Sequence, residues 1–249
     1  MKMRAAIFIV LGISAMLLIA FANVSNDKRV CKKVLVTISN QLNNHFIDDN
    51  DVLAMMTNGY TETVEGATYE DLNVRELENR VKANEYVKDA EIFHDLQGNM
   101  MINVVLRRPI ARIIKENGSG AYIAEDGMLM PVSDNFSSRV LLISGMTTDL
   151  QGQDSSSENE EFVKLFELVK YINKDKFWKA QIAQIALQEN KEVILLPQIT
   201  KQYIEFGEII NIESKFERLN IFYKEILPRK GWNSYSRVNV KYKNQIICE

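Results

Sequence analysis

Alternating apolar and polar residues, punctuated by polar turns, predict most of the strands in this chain. The sharpest punctuation lies in residues 89–114, DAEIFHDLQGNMMINVVLRRPIARII. The pattern predicts a strand ending near His94 and a tight turn through Gln97-Gly98-Asn99, residues suited to positive φ. A second strand follows, with Ile102, Val104 and Leu106 on one face. Pro109 interrupts the ladder, because it has no amide to donate and drives Arg108 into extended geometry. The apolar run resumes at Ile110, Ala111, Ile113 and Ile114. A strand that bends at a proline and continues predicts passage from one sheet to another. Arg107, Arg108 and Pro109 are therefore read as a domain-junction motif.

Upstream, Val34, Val36 and Ile38 alternate as a first strand. Asp48, Asp49, Asn50 and Asp51 offer N-caps for a short helix over residues 52–56. These acids resemble a calcium loop only superficially: a hydrophobic residue follows Asp51, and no glycine stands where such a loop turns sharply. Residues 57–72 are polar and read as a loop, after which Asn73 caps a second helix through Leu77 and Val81. Residues 28–108 thus form one α+β module ordered strand, helix, helix, strand, strand.

Downstream, Asp126-Gly127 predicts a hairpin turn and residues 139–145 a strand. Residues 147–161 are polar and acidic, hence an exposed loop. Phe162, Leu165, Phe166, Leu168, Val169 and Ile172 form the stripe of an amphipathic helix facing a core. Strands follow at residues 182–187, 193–196 and 203–207, the first two joined by a turn at Glu189-Asn190-Lys191. A helix carrying Ile212, Phe216, Leu219, Phe222 and Ile226 comes next, then a strand over residues 235–242 and a very short one at the end. Residues 109–249 are expected to form a second mixed α+β domain built on an extended antiparallel sheet.

Residues 1–27 set the compartment. Lys2 and Arg4 precede residues 5–22, AAIFIVLGISAMLLIAFA, which carry no charge. As a helix this stretch spans about 27 Å, close to the ~30 Å hydrocarbon core. Two readings fit: an uncleaved transmembrane anchor with a cytoplasmic amino end, or a signal peptide cleaved after Ala20-Phe21-Ala22. Both export the remainder.

Composition is that of an ordinary folded protein, 46% apolar and 25% charged, and the net charge of −3 offers no concentrated basic face for nucleic acid. Cys31 and Cys248 stand near opposite ends of the exported part, with nothing in the pattern to bring them together, so they are expected to be unpaired. There is no nucleophile elbow, phosphate-cradling glycine loop or spaced pair of metal-binding histidines; His45 and His94 are isolated. The expectation is a binding protein with no catalytic residues, metal, cofactor or small-molecule substrate.

Several stretches resemble one family. Strand-helix-helix-strand-strand after an amino-terminal membrane segment resembles a POTRA domain. Leu106-Arg107-Arg108-Pro109-Ile110-Ala111 is similar to the E-R-x-P-x-A signature that joins POTRA to β domain in the FtsQ/DivIB bacterial cell-division proteins, with Leu106 or Arg107 at the acidic position. Residues 122–131, YIAEDGMLMP, resemble that family's next hairpin. Residues 139–145 resemble the strand after it, without its proline. Phe206-Gly207 before a Lys- and Leu-rich helix is again similar. Residues 235–242 resemble the R-V-D-L-R-Y strand near the family's carboxyl end, with Asn239 for Asp and Lys243-Asn244-Gln245 for the glycine turn.

The resemblance implies a non-enzymatic, bitopic inner-membrane scaffold of the division septum with its domains outside the cytoplasm. It implies partners of the FtsB/DivIC and FtsL type, bound through the carboxyl-terminal strand. An edge strand offers unpaired N–H and C=O groups that an added strand can satisfy. On that basis the partner surface is placed on Tyr242, Lys243, Asn244, Gln245, Ile246 and Ile247. Tyr242, Ile246 and Ile247 equally suit a core. A different class of function is an exported POTRA-type chaperone or assembly factor for envelope proteins, for which tandem POTRA repeats or a following barrel would be expected.

Overall fold

The structure, a computed structural model, describes residues 12–14, 16, 30–39, 44–115, 120–134, 136–145 and 159–249. The membrane span expected over residues 5–22 lies outside the described residues, apart from Gly12, Ile13, Ser14 and Met16, which are helical. Among the described residues no helix is long and apolar enough to cross a membrane. The chain divides into two compact units, Met1–Leu106 and Arg107–Glu249.

The first unit runs β1 (Val34–Ser39), α1 (Asp49–Met56), α2 (Val74–Lys82), β2 (Val87–His94) and β3 (Met100–Leu106). β3 is central, parallel to β1 and antiparallel to β2. Its alternation buries Met100, Ile102, Val104 and Leu106 against Val52 and Met56 of α1 and Leu77 and Val81 of α2. The acids before α1 cap it: Asp48 Oδ1 accepts from Asp51 N at 2.9 Å and Asp51 Oδ2 from Asp48 N at 2.8 Å. In the β2–β3 turn, Gly98 alone takes positive φ (+90°), while the Asp95 carboxylate accepts from the amides of Gln97 and Asn99.

The second unit runs β4 (Pro109–Ile114), β5 (Gly120–Ala124), β6 (Leu129–Pro131), β7 (Leu141–Ser144), α3 (Glu160–Lys174), α4 (Lys176–Gln181), β8 (Ile182–Leu187), β9 (Val193–Pro197) and β10 (Tyr203–Gly207). It continues through α5 (Ile212–Ile221), a π-helical turn (Phe222–Ile226), α6 (Leu227–Lys230), β11 (Arg237–Asn239) and β12 (Ile247–Cys248). The strands form one sheet in the order β12-β11-β10-β9-β8-β7-β4-β5-β6.

That sheet corrects the antiparallel expectation. β4 with β7, β7 with β8 and β10 with β11 are parallel, so the sheet is mixed. The cause is connectivity. A parallel pair needs a long crossover, and α3–α4 supplies one between β7 and β8, as the α5–α6 segment does between β10 and β11. The crossover helices also make the core. Phe162, Leu165, Leu168, Trp178, Phe216 and Phe222 are buried with the strand residues Ile143, Ile185, Leu195, Ile204 and Val238. Those five lie on one continuous row of strand partners, which ends at Cys248. At roughly 1.5–3 kcal/mol per buried large apolar side chain, this row and its helical cover dominate the unit's stability.

The junction motif is part of the second unit. Pro109 pairs with Ala124 at the start of β4, and the register shifts before Ala111 meets Ile123. Arg107 forms an ion pair with Asp126, and the Arg108 carbonyl accepts from Glu125 N at 2.8 Å, so both brace the Asp126-Gly127 turn.

Candidate functional site

One edge of the nine-stranded sheet is β6 and the other is β12. β6 is three residues long and ends in Pro131, which has no amide to offer. β12 is shorter still, two residues, and carries no proline. Val238 of β11 faces Cys248 and Asn239 faces Ile247. Arg237 and Glu249 close the ladder through both backbone bonds, at 3.0 Å each. Antiparallel ladders alternate between bonded and non-bonded pairs, so Cys248, one residue inside that closed pair, turns its N–H and C=O away from β11 toward the open side.

The sequence-derived partner residues divide accordingly. Tyr242, Lys243, Asn244 and Gln245 are exposed and lie in the turn between β11 and β12 rather than in a strand, with Asn244 at φ +61°. Tyr242 is 52% exposed, so it belongs to the surface rather than the core. Ile246 is half-buried and packs on the core, as does Cys248, while Ile247 lies in the edge strand itself. The structure therefore brings an exposed aromatic turn and an open edge strand together over a few residues.

Around them is a polar frame that sequence reasoning missed. Asn239 Nδ2 donates to Glu205 Oε2 at 2.5 Å, and Arg237 bridges Glu205 Oε1 (3.4 Å) and Glu249 Oε1 (2.6 Å). Lys241 Nζ pairs with Glu192 Oε2 at 2.6 Å, which raises the lysine's pKa and lowers the glutamate's. Arg218 of α5 donates to the Val240 carbonyl at 2.9 Å, and buried Lys215 of the same helix reaches the end of β10. A signal existed for Lys215. It sits three residues after Ile212, on the apolar stripe, where a lysine is out of pattern.

Other features offer less chemistry. A cleft of about 1160 Å³ between α3, the start of β4 and the start of α5 carries charges of both signs, among them Arg108, Lys170, Lys174, Glu213 and Glu217. His94 packs on Tyr69, ring centroids 4.7 Å apart. Cys31 and Cys248 are free thiols. Among the described residues no group of three or more His, Cys, Asp or Glu could hold a metal ion. What the edge can do is hydrogen-bond an extended segment and flank it with side chains.

Comparison with known proteins gives two matches. Residues 108–249 match the family model described as FtsQ/DivIB, C-terminal related. Residues 29–105 match a POTRA-like domain. No curated protein matches the chain.

Proposed function

We propose, from the premise that this chain belongs to the FtsQ/DivIB family of bacterial cell-division proteins, that it is a membrane-anchored scaffold of the division machinery. It holds a small bitopic partner of the FtsB/DivIC type, and through it an FtsL-type protein, outside the cytoplasm. The family is one of non-enzymatic division proteins, which fits a scaffold role. Residues 5–22 cross the inner membrane once with the amino end in the cytoplasm, and the two exported units work at the septum. The observation that carries this reading is the open β12 edge beside the exposed Tyr242 turn. An incoming strand would gain backbone bonds at Cys248 and side-chain contacts at Tyr242 and Ile247.

The test is reconstitution. The full chain in a lipid bilayer is mixed with the exported segment of the FtsB/DivIC-type protein from the same organism, and binding is followed by calorimetry. Saturable binding at a one-to-one ratio is expected. Failure to bind at about 100 μM, the weak end of specific recognition, would refute the scaffold reading.

A further inference from the structure

Lys215 projects from α5 into the protein and is only 3% exposed. Its Nζ donates to the carbonyls of Phe206 at 2.8 Å and Glu208 at 2.6 Å, and it lies 4.6 Å from the centre of the Phe206 ring. Burying an ammonium is costly even when it is hydrogen-bonded. Burial, then the neighbouring Arg218, pushes its pKa down to about 8. Methionine would fill the same space without that cost, so packing does not account for the charge.

What the ammonium holds is a bend. Its two acceptors flank Gly207, whose φ of +73° lets both carbonyls turn to one donor. On its other side the bend carries Lys241: a Cβ on Gly207 would lie 2.7 Å from Lys241 Cγ. The residues just before the exposed turn are then fixed from every direction. Val240 N donates to Glu205 O at 3.0 Å, Val240 O accepts from Arg218 at 2.9 Å, Lys241 N donates to Asn239 Oδ1 at 2.9 Å, and Lys241 Nζ reaches Glu192.

We infer that Lys215 is a positioning residue for the partner-binding edge: by holding the Phe206–Glu208 bend against Lys241, it sets the path on which Tyr242–Gln245 leave the sheet and β12 returns. The positioning role stands on the geometry, and its consequence for binding rests on the scaffold reading above. Arg218 of α5 contributes to the same arrangement from one turn further along the helix. Glu208 and Glu192 supply negative charge near the Lys215 site, and Lys241 and Arg218 supply positive charge.

Amide hydrogen exchange on the full chain tests this with Lys215→Met, which keeps the packing but removes the donor, and with Lys241→Ala, which removes the side chain lying on the bend and leaves the core untouched. Both variants are expected to speed exchange over residues 240–248 by about tenfold or more, while β8 and β9 stay within about threefold of wild type. Uniform acceleration across the second unit, or unchanged exchange over residues 240–248, overturns the positioning role. If Lys215→Met fails to fold, Lys215→Gln takes its place, its shorter side chain withdrawing the donor from the Phe206 and Glu208 carbonyls, and the same two results support or overturn the role.

Binding of the FtsB/DivIC-type exported segment is measured on the same samples. Wild-type binding that weakens about tenfold in the variants extends the role to partner recognition, and equal binding by wild type and variants removes that extension. Absence of binding by the wild type sinks the scaffold reading, and the exchange data still decide the role of Lys215.

Discussion

Arg237 and Glu249 exchange both backbone hydrogen bonds at 3.0 Å and add a 2.6 Å contact between Arg237 Nη2 and Glu249 Oε1. They are a closed pair on the outermost ladder of the sheet. The Glu249 carbonyl also accepts from Ser236 N at 2.6 Å, so β12 is fastened where it ends. The fastening keeps a two-residue strand in place and leaves its other side available.

Removing the Arg237 side chain should therefore loosen β12 before anything else. Arg237→Ala deletes the contacts to Glu205 and Glu249; both pairs face solvent, so the effect is expected to be a local loosening of the strand rather than a loss of global stability. Exchange at the Glu249 amide, which donates to the Arg237 carbonyl, reads this directly. An effect no larger there than in β9 would show that β12 is held by its core contacts instead.

The capping box on α1 predicts a loss confined to the first unit. Asp48→Ala should destabilise that unit by about 1 kcal/mol, whereas Asp48→Asn should cost only a few tenths. Urea unfolding followed at the first unit's amides distinguishes the two. Equal losses would mean that the charge, not the cap, matters.

At the junction, the exposed and half-buried arginines should behave differently. Arg107, paired with Asp126, braces the turn between β5 and β6, and Arg107→Gln is expected to cost the second unit about 0.5–1 kcal/mol. Arg108 is exposed, and the contribution it makes here comes from its carbonyl, so Arg108→Ala should stay within about 0.5 kcal/mol. A double-mutant cycle between Arg107 and Asp126 checks the coupling. An additive cycle would place the effect elsewhere.

Strand existence was legible in the chain because it depends on local alternation. Met100 to Leu106 could hardly be anything else, and the Asp48–Asp51 cap and the Glu189–Lys191 hairpin turn follow from side-chain chemistry within a few residues. Pairing was not legible. Nothing in Ile143 or Ile185 says that their strands run parallel, because that is decided by the α3–α4 crossover. The final turn was concealed for another reason. Tyr242 continues the alternation of Val238 and Val240, and only the left-handed backbone at Asn244 reveals that the chain has already left the sheet. The polar frame of Glu205, Arg237, Lys241 and Glu192 joins residues far apart in the sequence, so it becomes visible only in the fold.

The buried lysine gives a pH dependence of definite sign. Lys215 has its pKa lowered from 10.5 to about 8 in the folded state. Below pH 8 the lysine is protonated folded and unfolded, and burial exacts its full cost. Between pH 8 and about 10 the unfolded chain binds more protons, so stability rises with pH through this group. The difference in stability between wild type and Lys215→Met should move in favour of wild type across that window. A flat difference would mean that the folded lysine titrates at its ordinary pKa.

The central claim is that a partner adds a strand at the open edge of β12, and proline at position 248 tests it most directly. Cys248→Pro removes the amide that points away from β11 and keeps the ladder to Arg237 and Asn239, a placement edge strands tolerate. Cys248→Ala controls for the lost thiol. With the FtsB/DivIC-type exported segment as ligand, Cys248→Pro should weaken binding about tenfold or more, the scale of losing a backbone bond in a desolvated interface, while Cys248→Ala stays close to wild type. Equal binding by all three, with unfolding transitions unchanged, would contradict strand addition at this edge.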